Sequence, residues 1–126
     1  MFETKQLKHE YDYPAPDKSE IRLLLQTRGG SMWHCKLPKG RTSSPVCHKS
    51  VDEIWFFVSG NGRVWRSDGN SEKIVKVKKG TCLMIPAGTK FQFESNGNED
   101  LEFVGVTMPP WPGPQEAYKV KGPWKN

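Results

Sequence analysis

From Ile21 onward the chain alternates apolar and polar residues in short runs that end at glycine, proline, asparagine or aspartate. Such period-two runs predict β-strands. Strands are predicted over residues 21–27 and 31–37, joined by Arg28, Gly29 and Gly30; the second puts Trp33, Cys35 and Leu37 on one face and His34 on the other. Residues 38–45 read as a loop, after which Val46 and His48 share a face. The run 53–59 is the most strand-like, with Glu53, Trp55 and Phe57 on one side and Ile54, Phe56 and Val58 on the other. Both sides are apolar, so this strand is expected to be central and covered, or to face a partner subunit.

Asn61 and Gly62 predict a hairpin into a strand at 63–67, and Asp68 and Gly69 a second hairpin into 73–77. Three more strands are expected over 81–85, 91–94 and 101–107, with Asn96 and Gly97 turning between the last two. No amphipathic helical stretch runs beyond a few turns. Nine or ten short strands at this spacing fit an all-β sandwich or barrel.

A length of 126 residues suits one domain with its own core. Its parts are expected to be an N-terminal arm (1–19) that adds an edge strand, the barrel (20–108), and a proline-rich tail (109–126) lying over it. The 12 Gly and 10 Pro agree with many turns. The net charge of +5 comes from dispersed basic residues, densest at Lys73, Lys76, Lys78 and Lys79. These alternate with Ile74, Val75 and Val77, as on a solvated strand edge, and no basic stripe with exposed aromatics argues for nucleic acid. Cys35, Cys47 and Cys82 are odd in number and lack a CxxC spacing, so free, buried thiols in a reducing cytoplasm are expected. No apolar run approaches the roughly 18 residues of a membrane-spanning helix, and no membrane partner is expected.

Gly40, His48, Glu53 and Gly60 stand at the spacing G-x5-H-x-H-x3,4-E-x6-G, and Gly80, Pro86 and Gly88 at that of G-x5-P-x-G-x2-H-x3-N. In these positions the chain resembles the cupin superfamily over roughly residues 40–96. The stretches HKSVDEIW, GNGRVWR, PAGTKFQF and TMPPWPGPQEA resemble a group of small single-domain cupins. The resemblance implies a jelly-roll barrel of two antiparallel sheets. It also implies a homodimer formed by sheet packing or strand exchange, which the apolar face Ile54, Phe56 and Val58 supports.

In metal-dependent cupins the two motifs supply four ligands, and the corresponding positions here read Val46, His48, Glu53 and Phe91. Two protein ligands fall short of what a catalytic metal takes, so no cofactor is expected. A divalent metal, if any, would sit on His48 and Glu53, with Cys35 the one further donor whose strand parity permits it. What remains is a polar pair among aromatics. An imidazole–carboxylate couple in which Glu53 orients and charges His48 suits acid/base catalysis. A buried hydrogen bond that merely satisfies both groups is the alternative.

The expected pocket walls are Trp33, Trp55, Phe57, Phe91 and Phe93. Arg22, Gln26, Arg66 and Gln92 also lie on barrel strands, and Arg66 is taken as a ligand-binding residue favouring an acidic group. Trp111 and Trp124 are expected to cap the barrel mouth or cross to a second subunit. The function expected is a small-molecule-binding cupin: a metal-independent isomerase, epimerase or lyase acting on a small polar or acidic metabolite. The alternatives are a non-catalytic or sensory barrel and a metal-dependent oxygenase.

Overall fold

A computed structural model describes residues 2–126. Along the chain run β1 (Tyr13–Pro14), β2 (Glu20–Gln26), β3 (Ser31–Leu37), β4 (Val46–His48), β5 (Asp52–Ser59), β6 (Asn61–Ser67), β7 (Glu72–Lys78), β8 (Cys82–Ile85), β9 (Lys90–Ser95), β10 (Leu101–Met108) and β11 (Ala117–Lys119), with no helix among the described residues. They form a six-stranded sheet ordered β1-β2-β3-β10-β5-β8 and a five-stranded sheet ordered β11-β4-β9-β6-β7, every pairing antiparallel. Both termini add short edge strands, β1 from the arm and β11 from the tail.

The inner faces carry the residues that alternation assigns to them. In β5, Glu53, Trp55 and Phe57 are buried while Ile54, Phe56 and Val58 are exposed. Trp55 lies at the centre: its ring stacks on Phe103 with centroids 4.5 Å apart and meets Phe57, Phe91 and Phe93 edge-on. Offset and edge-to-face rings fill the space between two sheets at little conformational cost. His34 points outward as predicted and bonds Glu102 at 2.9 Å.

Two turn assignments part ways. Asp68 and Gly69 do close a hairpin, with Asp68 Oδ1 accepting the Asn70 and Ser71 N–H groups. Asn61 and Gly62, however, lie inside β6, and β5 and β6 belong to different sheets. The chain crosses between sheets at Gly60, whose φ of +84° only glycine adopts readily. A Cβ at Gly60 or Gly62 would collide with the Asp100 or Glu94 carbonyl, so both glycines serve close backbone approach at this corner.

Arg22 and Gln92 do not point into the barrel. The Arg22 guanidinium is buried on the outside of β2, where it donates to the Lys8 and His9 carbonyls and fastens the arm. Gln92, fully buried, donates to the Ser43 and Trp124 carbonyls and accepts from the Trp124 N–H, which fastens the tail. Trp124 therefore lies outside the mouth, with Arg63 stacked 4.1 Å above its ring. The lysine-rich strand β7 is a sheet edge. Cys35 and Cys47 are buried, but Cys82 is exposed because its β8 position faces outward opposite Phe56. Among the described residues no helix is long and apolar enough to cross a membrane.

Candidate active site

Between the sheets, toward the end where arm and tail meet, lies a cavity of about 600 Å³. Strands β3, β4, β5, β9 and β10 contribute Trp33, Cys35, Val46, His48, Glu53, Trp55, Phe91, Phe103 and Thr107 to its wall. The arm adds Tyr13 through Asp17 and Ser19, and the tail adds Trp111, Gly113 and Pro114. Of the expected pocket residues, Trp33, Trp55 and Phe91 line this space and Gln26 reaches it. Phe57 and Phe93 lie deeper, packed against the rings of Trp55 and Phe103. Arg66 is not on the wall: its Nη1 donates to the Met84 carbonyl at 2.9 Å, where β6 approaches β8 of the other sheet.

Glu53 is 4% exposed and both of its oxygens are occupied. Trp55 Nε1 donates to Oε1 at 2.9 Å and the Thr107 hydroxyl to Oε2 at 2.6 Å. Trp33 Nε1 donates in turn to the Thr107 oxygen at 2.8 Å, so indole, hydroxyl and carboxyl form a chain. Gly105 makes this possible, because the Trp33 ring lies where a Cβ at residue 105 would stand. Burial outweighs the two donors and pushes the Glu53 carboxyl up to about 7, with the Asp17 and Glu116 charges adding to the rise.

His48 sits between the rings of Phe91 and Trp111, each 5.1 Å away and edge-on. Its Nδ1 lies 3.9 Å from Glu53 Oε2, beyond hydrogen-bond reach, and is buried without a partner. Burial lowers His48 to about 4, with only the Glu116 charge opposing. The expected couple is thus corrected: Glu53 bonds to Trp55 and Thr107, and His48 is held neutral instead of charged. The alternative of a His48–Glu53 hydrogen bond is not met either. Both outcomes have one cause, since burial disfavours every ionised form unless a donor or counter-charge touches it.

Glu116 is the tail's contribution. Burial would raise its carboxyl, but the Ser50 and Val51 N–H groups and the Ser50 hydroxyl donate to it and hold it below the usual carboxylate range. It thereby clamps the 49–51 turn beside His48. Asp17 lines the cavity from the arm; Ser19 donates to its Oδ1 through both N–H and hydroxyl, yet burial still raises it.

Alternation could have found Thr107, a polar residue at inward parity with Leu101, Phe103 and Gly105. Asp17 and Glu116 carry no periodic signal, being placed by arm and tail. Trp111 lines the cavity and meets His48 edge-on.

A metal of the kind the family holds does not suit these residues. Val46 and Phe91 occupy two ligand positions with apolar side chains, Glu53 spends both oxygens on internal donors, and the described residues gather no set of three His, Cys, Asp or Glu side chains suited to an ion. Cys35, the further candidate, is a buried thiol raised well above its ordinary pKa by burial.

Residues 33–107 match the family model described as Cupin domain. A protein of Methanocaldococcus jannaschii, itself uncharacterized, is 29% identical over 120 residues, covering 88% of this chain and 93% of that protein. A conserved double-stranded β-helix protein of Klebsiella pneumoniae, also uncharacterized, superposes with TM-score 0.70 at 18% identity, covering 89% of this chain and 92% of its own. KdgF from a Halomonas species superposes with TM-score 0.67 at 18% identity, covering 80% and 88%. These structural likenesses concern the fold. With two antiparallel sheets around a shared cavity and the family's glycines at the corners, the chain belongs to the cupin family.

Proposed function

We propose that this cupin binds a small molecule in the barrel and acts on it without metal, by proton exchange at Glu53, as an isomerase, epimerase or lyase does. One observation carries the reading: a carboxyl raised to about 7 forms part of the wall of an aromatic cavity. A group with a pKa near the working pH both gives and takes a proton readily. The roles differ from the sequence expectation. Glu53 is the proton carrier, and His48, neutral and with an unpartnered nitrogen, is the group that orients the ligand. Trp55 and Thr107 hold the Glu53 carboxyl in place, and Trp33 in turn donates to the Thr107 oxygen.

The second reading is a barrel that binds without turnover. It is favoured by the two internal hydrogen bonds on Glu53, which a ligand must displace or share. A thermal-shift screen of sugars, nucleotide sugars, small acids, alcohols and amines tests both. Glu53→Gln is expected to abolish turnover of a compound whose binding to the variant, even if weakened, is still measurable. Binders that never turn over favour the second reading, and an absence of binders in every class overturns both. The oxygenase alternative is tested by metal analysis of protein purified without an affinity tag: near-stoichiometric metal would sink the metal-free reading.

The proposed assembly is a homodimer through the outer face of the six-stranded sheet. Met32, Val106, Ile54 and Met84 stand side by side across four strands, and Ile54 and Phe56 are each 46% exposed. Light scattering is expected to give a dimer for the parent and a monomer for Ile54→Glu/Phe56→Glu, with unchanged circular dichroism. A monomeric parent refutes the assembly. The free thiols fit a cytoplasmic setting.

A further inference from the structure

The cavity wall also bears on the charge of its occupant. We propose that it selects a small organic cation, a protonated amine or a quaternary ammonium, held by the Asp17 and Glu53 carboxylates beside the rings of Trp33 and Trp111. This rests on the small-molecule reading above and adds the ligand class to it.

The chain carries 19 Lys and Arg and a net charge of +5, yet none of those side chains lines the cavity. The guanidinium groups nearest in sequence pattern are committed elsewhere, Arg22 to arm carbonyls and Arg66 to the Met84 carbonyl. An acidic ligand would therefore meet no counter-charge and two carboxyl groups, which replaces the acidic metabolite expected from Arg66. An organic cation meets opposite conditions. Indole faces attract it through their quadrupoles, and a buried carboxylate attracts it more strongly than an exposed one.

Two unused polar atoms mark where it would be held. Ser19 occupies Asp17 Oδ1, and no hydrogen bond falls on Oδ2 among the described residues. His48 Nδ1 is buried without a partner. A cavity of about 600 Å³ is within the range of small-ligand sites.

The groups around Glu53 are the Trp55 and Thr107 donors, the Asp17 and Glu116 carboxyls, His48 at 3.9 Å, the Cys35 thiol, which burial and the Asp17 and Glu53 charges raise, and Tyr13, whose hydroxyl burial and the Asp12 and Glu53 charges raise. Without a ligand, burial keeps Glu53 and Asp17 inclined to hold their protons. A cation reverses that preference, so its binding releases protons.

Benzylamine, benzyl alcohol and benzoate share one ring and differ in charge, and choline has an uncharged carbon isostere. Quenching of tryptophan fluorescence reads their binding, since Trp33, Trp55 and Trp111 line the cavity. Benzylamine is expected to bind about tenfold tighter than benzyl alcohol, with benzoate weakest and choline ahead of its isostere. Glu53→Gln and Asp17→Asn are each expected to weaken benzylamine about tenfold while leaving benzyl alcohol unchanged, which also shows the cavity intact. Calorimetry in buffers of different ionisation heat is expected to show proton release with benzylamine and none with the alcohol. Equal or tighter binding of benzoate or benzyl alcohol by the parent protein overturns the cation class and leaves the small-molecule reading standing. If neither these probes nor any compound of the mixed library binds, both fail.

Discussion

Replacing Trp55 by alanine is expected to destabilise the protein by about 3–5 kcal/mol, measured by urea unfolding of parent and variant. Trp55 is 2% exposed and contacts the rings of Trp33, Phe57, Phe91, Phe93 and Phe103, so its removal leaves a large void between sheets that cannot close. It also strips Glu53 of one of its two donors. Trp55→Phe separates these effects, because it keeps a ring and deletes the indole N–H. That variant is expected to lose about 1–3 kcal/mol and to raise the Glu53 pKa further, since the missing donor favoured the carboxylate. A loss below about 1 kcal/mol for Trp55→Ala would show that the neighbouring rings collapse inward and that the core is softer than its packing implies.

The second large effect is on pH dependence, and its sign runs against the usual carboxylate. Folded Glu53 keeps its proton up to about 7, whereas the unfolded chain loses it near 4.5. The stability this group contributes is therefore fully present below about 4.5 and is lost as pH rises through 7. His48 acts in the opposite sense. Its folded pKa is lowered from 6.5 to about 4, so its contribution is present above 6.5 and lost as pH falls toward 4. Between 4.5 and 6.5 the two slopes nearly cancel in the parent, and each variant exposes the other.

Relative to the parent, Glu53→Gln is expected to gain on the order of 3 kcal/mol between acid and mildly alkaline pH. His48→Gln is expected to gain by a similar amount toward acid pH. The charges of Asp17 and Glu116 act on Glu53 in parent and in His48→Gln alike, so differences between variants isolate each group. Unfolding curves at several pH values give the measurement. Parallel stability profiles for Glu53→Gln and the parent would mean that Glu53 titrates as an ordinary carboxyl, and with that the proposed proton exchange would lose its basis.

The legible part of this molecule is the part that repeats with period two. Glu53, Trp55 and Phe57 point inward and Ile54, Phe56 and Val58 outward because successive side chains on a strand alternate, and nothing later in folding reverses that. The error at Asn61 and Gly62 has the same origin. A glycine-rich pair between two strands looks alike whether the chain turns back within a sheet or crosses to the other, and only the approach of Gly60 to Asp100 distinguishes them. Arg66 is expected at the cavity only because it lies on a barrel strand, but its Nη1 donates to the Met84 carbonyl and it is not on the cavity wall.

The sequence by itself determined the all-β class, the two-faced strands, the glycine corners and the presence of His48 and Glu53 among aromatics without a full set of metal ligands. These depend on local geometry, on residues a few positions apart. Tertiary structure alone decided the chemistry of that pair. Trp55 and Thr107 bond the carboxyl, Phe91 and Trp111 enclose the imidazole, and Asp17 and Glu116 arrive from arm and tail. The protonation of a buried group follows from its desolvation and from the few donors and charges that touch it. Those neighbours come from strands and termini far apart in the chain, and no spacing along it records them.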